Sequence, residues 1–367
     1  MAPDLIVVGG GAVGLTVALA AADEGLQVAL VTVRRLGAAS AAAAGMLAPT
    51  IEIGDGPGGP TASRFALAAR DRYPSYLAHL ADRSGIAVPH NRLGILVIGH
   101  PHPGSAGQDD HGAAESCGEP LGDAALARLE PALAGTRDVR FFADDGTVDN
   151  VRLLEALEIA IDRSSAIRRH PGPARGLHMT ADQITCLTNA GPLSAPQLVL
   201  AAGAWAPLLD GLPRPLPIVP VRGQMLALDG APIRHVVYGA DGYLVPRGGR
   251  EILVGATMED AGYDAVTTPA ALDALRATAS TLCPALAGAA VRRSWAGLRP
   301  VTPDLLPIIG RDPTYDRLVY ACGHSRNGVL LAPLTADCVA AVAAGRESPH
   351  DLSPFAVERF GVTSGMR

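Results

Sequence analysis

Gly9, Gly11 and Gly14 fall at the spacing G-x-G-x-x-G, between the short β-branched run Leu5-Ile6-Val7-Val8 and an alanine-rich stretch from Leu15 to Ala22. The chemistry served by this spacing is pyrophosphate binding. Gly9 permits a tight turn, Gly11 lets backbone N–H groups approach the phosphates, and Gly14 lets the next helix pack close on the strand. That helix then points its positive end at the phosphates. An acidic residue about 20 positions further on usually holds the ribose hydroxyls. Here the second strand, residues 27–33, carries Thr32 at that place and is followed by Arg34 and Arg35. Two readings stand on these residues: a hydroxyl or backbone group replaces the acid, or the arginines accept a 2′-phosphate and the cofactor is NADP.

The elements that must hold this turn are an open α/β sheet and whatever covers it. The spacing of apolar residues predicts a helix over 61–85, a strand over 93–98, a short helix over 121–130, and a strand and turn over 141–148. A helix then runs to Asp162 with Asn150 as its N-cap, followed by a hairpin around 181–187 and a strand from Gln197 that ends in small residues near Trp205. Such an ending at the carboxyl edge of a sheet is where an open α/β sheet takes its ligand. Residues 218–228 and 236–257 read as strands and 269–282 as a helix. Residues 100–120, rich in Gly, Pro, Asp and Ser, read as a long exposed loop, and the basic cluster Arg168-Arg169-His170 to Arg175 as a solvated loop. The run of small residues from Gly37 to Pro49 is too apolar for an ordinary linker, and small residues let backbone press against a flat ring.

Composition narrows the class. A chain of 367 residues suits two domains, and a net charge of −6 gives no general attraction to nucleic acid or acidic lipid. All 30 basic residues are arginine, which excludes a Schiff-base lysine and a phosphate-loop lysine. Cys117, Cys186, Cys283, Cys322 and Cys338 are odd in number and never spaced as C-x-x-C, and the ten histidines show no ligand spacing, so neither a metal site nor a disulfide frame is expected. The opening Met1-Ala2-Pro3-Asp4 has no basic leader, and no apolar run is long enough to span a bilayer. The expectation is a soluble cytoplasmic protein with no membrane or nucleic-acid partner.

Three downstream segments concentrate unusual residues: Tyr243 to Glu259, Ser294 to Asp304, and Ala321 to Pro333, the last reading as a strand, a glycine turn and a second helix N-terminus. Together with Gly9 to Gly14 and Ala43-Ala44-Gly45-Met46-Leu47, the motifs Tyr243-Leu244-Val245-Pro246-Arg247, Val254-Gly255-Ala256-Thr257-Met258, Trp295-Ala296-Gly297-Leu298-Arg299-Pro300 and Gly323-His324-Ser325-Arg326-Asn327-Gly328 resemble the glycine oxidase (ThiO-like) branch of the D-amino-acid oxidase family. They occur in family order over almost the whole chain.

The resemblance implies FAD, bound non-covalently, in an α/β fold with a Rossmann-like FAD-binding domain (1–85, 146–213 and 305–367) and an interleaved β-rich substrate domain (86–145 and 214–304). Arg299 would clamp a substrate carboxylate, Tyr243 would donate to it, Arg326 would help hold the amine end, and Met46 and Met258 would wall the pocket. For the cofactor the implied contacts are Gly9, Gly11, Ala12, Val13 and Gly14, then Thr32 and Val33, then Ala39, Ser40, Ala44, Gly45 and Met46. Further on they are Gly176 and the turn His324, Ser325, Arg326, Asn327, Gly328, Val329 and Leu330. No side chain is implied as a catalytic base, because hydride passes to flavin N5. The implied reaction turns glycine, sarcosine or small D-amino acids and dioxygen into a 2-oxo acid such as glyoxylate, ammonia and hydrogen peroxide. A role in making the thiamine thiazole and a homotetramer are implied as well. The alternatives are a D-amino-acid or sarcosine dehydrogenase with another acceptor, and a catalytically silent flavin-binding protein. Two departures stand out: Thr32 replaces the usual Glu, and Asp241 and Gly242 replace bulkier residues before Tyr243.

Overall fold

A computed structural model describes residues 2–52, 58–99 and 118–361. A six-stranded sheet has the spatial order Ile308–Arg311, Leu318–Cys322, Gln197–Leu200, Leu5–Val8, Val28–Thr32, Ile167–Pro171. Its neighbours run parallel except for the first pair. Both faces are covered, and the side chains divide with period two. Leu5 and Val7 enter a core shared with helices Ala12–Asp23, Gly59–Ser84, Asn150–Arg163 and Gly328–Ala343, while Ile6 and Val8 enter a core shared with the antiparallel strands Ala174–Met179, Ile184–Thr188 and Gly191–Ala195. That double burial is why the strands read as continuous apolar runs.

A second sheet has eight strands among the described residues, in the order Val291–Val301, Val219–Asp229, Glu251–Gly255, Gly242–Arg247, Val236–Gly239, Ile95–Ile98, Val139–Phe142, Glu119–Leu121. Its neighbours are antiparallel except Val236–Gly239 with Ile95–Ile98. One face packs Leu226, Leu244 and Val254 on helix Pro269–Leu282. The other gathers Met225, Tyr238 and Val245 with Ala44 and Ala48 of the small-residue run. The second sheet thereby covers the carboxyl ends of the first.

Two buried tyrosines of helix Gly59–Ser84 fix the helices whose N-termini matter most. Tyr73 donates its hydroxyl to the Val329 carbonyl at 2.5 Å, and Tyr76 lies 3.0 Å from the Thr16 hydroxyl. Each such bond contributes about 1 kcal/mol net. Their larger effect is positional, since they tie the starts of the first and last helices to one scaffold.

Several sequence expectations are corrected. Asn150 is the first residue of its helix, and the cap is Asp149, whose carboxylate accepts from the Val151 and Arg152 N–H groups at 3.0 Å each. The basic cluster at 168–170 lies in an edge strand rather than a loop, with Arg169 paired to Glu158 and Asp162. A strand with one open edge can carry polar residues and so escapes an apolar-pattern reading. The strand beginning at Gln197 ends at Leu200, and Trp205 belongs to a 3-10 turn, Gly203–Leu208. The loop expected over 100–120 falls mostly outside the described residues, as does Cys117, and Glu119 and Pro120 belong to a strand.

A Cβ on Gly14 would sit 2.1 Å from the Gly9 carbonyl oxygen, whereas one on Gly248 meets nothing within 4 Å. Gly14→Ala is therefore expected to destabilise by about 1–3 kcal/mol or more through forced backbone shifts, with Gly248→Ala close to neutral. Thermal unfolding of the two variants checks this, and equal melting temperatures would contradict the packing.

Candidate functional site

Four strands of the six-stranded sheet end on one cavity of about 1300 Å³, at Val8-Gly9, Thr32-Val33, Ala201-Ala202 and Cys322-Gly323. This is the carboxyl edge where open α/β sheets bind ligands, and the volume exceeds that of an ordinary small-molecule pocket. The cavity runs from the glycine turn to the covered face of the second sheet, so a long ligand fits along it.

At one end the first helix begins without a side-chain cap of its own. Its Ala12 N–H instead donates to the Ser40 hydroxyl at 2.9 Å, which fastens the small-residue run across the turn. Gly9, Gly11 and Val13 border the cavity, whereas Gly14 packs behind them on the Gly9 carbonyl. Thr32 borders it too, with its hydroxyl against Gly10, where a Cβ on the glycine would lie 1.9 Å away. Glu155 and Glu158 of helix Asn150–Arg163 line the same end, each already paired, to Arg152 and Arg169 respectively at 2.5 Å. Arg35 lies over the Trp205 ring at 5.2 Å, closing the rim.

The small-residue run forms the middle of the wall. Ala39 and Ser40 lie in a four-residue helix, Ala39–Ala42, and Ala44, Gly45 and Met46 follow along the cavity. Its backbone is held from outside. Trp295 Nε1 donates to the Ala42 carbonyl at 3.0 Å, and Arg247 donates to the Ala44 carbonyl and, at 3.2 Å, to Asn150 Oδ1. Asn150 Nδ2 in turn donates to the Ser40 carbonyl at 2.9 Å. Sequence reasoning quoted Trp295 and Arg247 inside motifs but missed this tethering, because nothing in their spacing shows which carbonyls they reach.

The far end is built on the second sheet. Arg299 donates Nη1 to the Thr257 carbonyl at 2.9 Å and lies flat on the neighbouring strand, where a Cβ at Gly223 would be 2.4–2.5 Å from its guanidinium. Tyr243 covers Gly255 in the same way and points its hydroxyl at the Met225 sulfur, 4.0 Å away. Tyr238 stacks behind it, with ring centroids 6.0 Å apart. Met46, Met258 and Arg326 border the same space, so the five residues expected at the substrate end meet in one cavity. Gly223, Met225 and Tyr238 were missed. The alternation of 223, 225 and 227 along one strand face was the available signal.

Opposite them is the turn before the last helix. His324, Ser325, Arg326, Gly328 and Val329 border the cavity. The Ser325 N–H donates to the Pro300 carbonyl at 2.9 Å, while its buried hydroxyl has no hydrogen-bond partner among the described residues. His324 is 3% exposed, 3.2 Å from the Thr335 hydroxyl, and burial pushes its imidazole down to about 3, so it is neutral. Of the expected cofactor contacts, Ala12, Gly14, Gly176, Asn327 and Leu330 do not border the cavity. Gly176 instead packs on Asp210, and its neighbours Ala174 and Arg175 reach the cavity in its place.

Comparison with known proteins points the same way. Residues 4–342 match the family described as FAD dependent oxidoreductase, DAO. The chain is 34% identical over 375 residues to the bifunctional protein ThiO/ThiG of Synechocystis sp., covering 98% of this chain and 54% of that protein. It thus spans about half the length of the ThiO/ThiG relatives it matches. It is 32% identical over 364 residues to glycine oxidase of Pseudomonas aeruginosa, covering 97% of this chain and 99% of that one. The crystal structure of glycine oxidase from Geobacillus kaustophilus superposes with a TM-score of 0.85 at 27% identity, over 97% and 98% of the two chains.

The neutral, buried His324 has a pH signature. Unfolded, it takes up a proton near its ordinary value of about 6.5; folded, it does so only near about 3. Its contribution is intact above pH 6.5 and is lost as pH falls toward 3, at roughly 1.4 kcal/mol per pH unit. Asp145, pushed up to about 6 by burial, works in the opposite sense, so the comparison is between the protein and its His324→Gln variant. The stability advantage of histidine over glutamine should shrink between pH 6.5 and 5 in denaturant titrations. A constant difference would show that the imidazole titrates normally.

Proposed function

The chain belongs to the FAD dependent oxidoreductase family, and from that premise we propose that it oxidises glycine and similar small amines beside a carboxylate, such as sarcosine and small D-amino acids. With glycine, dioxygen and water are consumed and glyoxylate, ammonia and hydrogen peroxide are formed. The observation that carries this reading is Arg299 lying flat over Gly223 in the same cavity as Tyr243 and the glycine turn.

The site fits its cofactor on its own evidence. The glycine turn forms a cradle that a Cβ would fill, the first helix leaves its N-terminus open to a pyrophosphate, and the unpartnered Ser325 hydroxyl borders the space opposite Met46. Bound FAD supplies the two-electron acceptor and passes the electrons to dioxygen. The proposed holders are the glycine turn and Ser40 for the pyrophosphate, the Thr32 hydroxyl and nearby backbone for the ribose, and Ala44 to Met46 with His324 to Val329 for the flavin. No cysteine lies between Val301 and Leu306, after the arginine region, which supports non-covalent binding. The proposed division assigns 1–85, 146–213 and 305–367 to the cofactor and 86–145 and 214–304 to the substrate.

The protein's own share is placement and charge. Arg299 offers a permanently charged planar fork to the substrate carboxylate, and the Tyr243 hydroxyl turns from the Met225 sulfur to the same oxygens. Arg326 helps hold the amine end, and Met46 and Met258 wall the pocket. The scheme requires no general base, and burial leaves the His324 imidazole, engaged with Thr335, too weak a proton acceptor to serve as one. The amine therefore sheds its proton to solvent before it reacts. Likeness to the ThiO/ThiG proteins supports a place in making the thiamine thiazole, and the resemblance supports a homotetramer.

Anaerobic mixing of the yellow protein with glycine, followed by air, tests the reading. Bleaching and rapid recovery with peroxide is the expected result. Slow recovery in air favours the dehydrogenase, and a flavin left oxidised by glycine, sarcosine and D-alanine alike overturns the assignment. Arg299→Leu should keep the yellow colour and lose about two orders of magnitude in kcat/KM, from charge-assisted bonds of about 1.5–3 kcal/mol. Gly223→Ala should fold normally and raise KM by displacing the guanidinium, and a KM equal to the parent's would remove Arg299 from the clamp.

A further inference from the structure

Half of this chain's six methionines, Met46, Met225 and Met258, border the cavity. Met179 lies half-buried in the strand Ala174–Met179 away from it, and the remaining two lie outside the described residues. The three cavity methionines differ in access. Met258 is 62% exposed at the mouth, Met46 is half-buried, and Met225 is 3% exposed with its sulfur facing the Tyr243 hydroxyl. Among the described residues the thiols are poor competitors for an oxidant. Cys186, Cys283, Cys322 and Cys338 are all buried, and burial pushes Cys186 and Cys338 up to about 11 and Cys322 up to about 12, far from the reactive thiolate.

We propose that Met258 is a modification site, oxidised to the sulfoxide by hydrogen peroxide released in this cavity, and that the sulfoxide slows the enzyme. The inference rests on the oxidase reading above, which supplies the oxidant. The thioether lone pair attacks one peroxide oxygen, an S–O bond forms and the O–O bond breaks. Sulfur loses two electrons, and the departing hydroxide takes the proton from the oxygen now bonded to sulfur, leaving as water and yielding the neutral sulfoxide. The change replaces an adaptable apolar side chain with a polar acceptor. Thr257, next in the chain, provides the carbonyl that holds Arg299. A sulfoxide oxygen at 258 then competes with the substrate carboxylate for the guanidinium, so accumulated product raises KM. The modification is reversible by methionine sulfoxide reductase.

The test is turnover of the holoenzyme with glycine in air, with catalase present to remove bulk peroxide, followed by tryptic mass spectrometry. Trypsin cuts this lysine-free chain only after arginine, and Met46, Met179, Met225 and Met258 fall in four different peptides. Oxygen uptake with and without catalase reports peroxide formation independently. Met258 should gain one oxygen atom about tenfold faster than Met179, with Met46 next and Met225 last, following exposure. KM for glycine should rise with the modified fraction and fall again after reductase treatment, and the rise should be absent from Met258→Leu. Peroxide formation with Met258 oxidised no faster than Met179 overturns the proposal and leaves the oxidase reading standing. Oxidation that catalase abolishes overturns the claim that it happens inside the cavity, and oxidation without a change in KM overturns the slowing. Absence of oxygen uptake with glycine, sarcosine and D-alanine overturns the oxidase reading, and this proposal with it.

Discussion

The structure depends on bare backbone at the points where its layers meet. A strand can end on a phosphate, and a helix can start there, only if no side chain stands between them. Gly9 lies against the Ala201 carbonyl and Gly14 against Gly9, at distances that leave no room for a Cβ. The same economy of volume recurs where the second sheet closes over the first, as Gly297 packs on Ala42. Each of these contacts brings peptide dipoles, rather than side chains, up to the cavity. Peptide groups are already fixed by secondary structure, so they can be aimed at a ligand with little further ordering.

Among the described residues, charge around this space is carried by arginines and carboxylates alone. At the end formed by the second sheet a guanidinium is anchored to the Thr257 carbonyl, and the histidine on the turn before the last helix is stripped of charge by burial. The acidic residues near the nucleotide end, Glu155 and Glu158, are already paired with arginines. On the proposed reading, which leaves proton transfer to solvent and redox chemistry to the cofactor, the site has little use for shifted acids and bases. The lack of lysine fits that design, since a compact, strongly hydrated ammonium offers less to a planar carboxylate than an arginine fork does.

The parts of this design that could be read from the sequence are those written in local spacing. The glycine turn, the flanking strand and helix, and helix Pro269–Leu282 all follow from residues close together in the chain. Arg299 and Tyr243 could be named through their motifs, although their lying over Gly223 and Gly255 is a matter of strand pairing. The tethers from Arg247, Asn150 and Trp295 were illegible because each spans around a hundred residues or more of sequence, from the second sheet or helix Asn150–Arg163 to the small-residue run. Gly176 was expected beside the cofactor, whereas the strand brings Ala174 and Arg175 to the cavity, a placement set by strand pairing rather than by local spacing.

The strand pairing of the six-stranded sheet also bears on how the molecule comes into being. Leu5 pairs on one side with Val28 and on the other with Gln197. During synthesis the first strand can meet its local neighbour early, but its central partner does not exist until more than half of the chain has left the ribosome. Until then Ile6 and Val8 have no lid on one face. A topology of this kind leaves apolar strand edge unpaired until distant segments of the chain are made, and such non-local pairing slows folding.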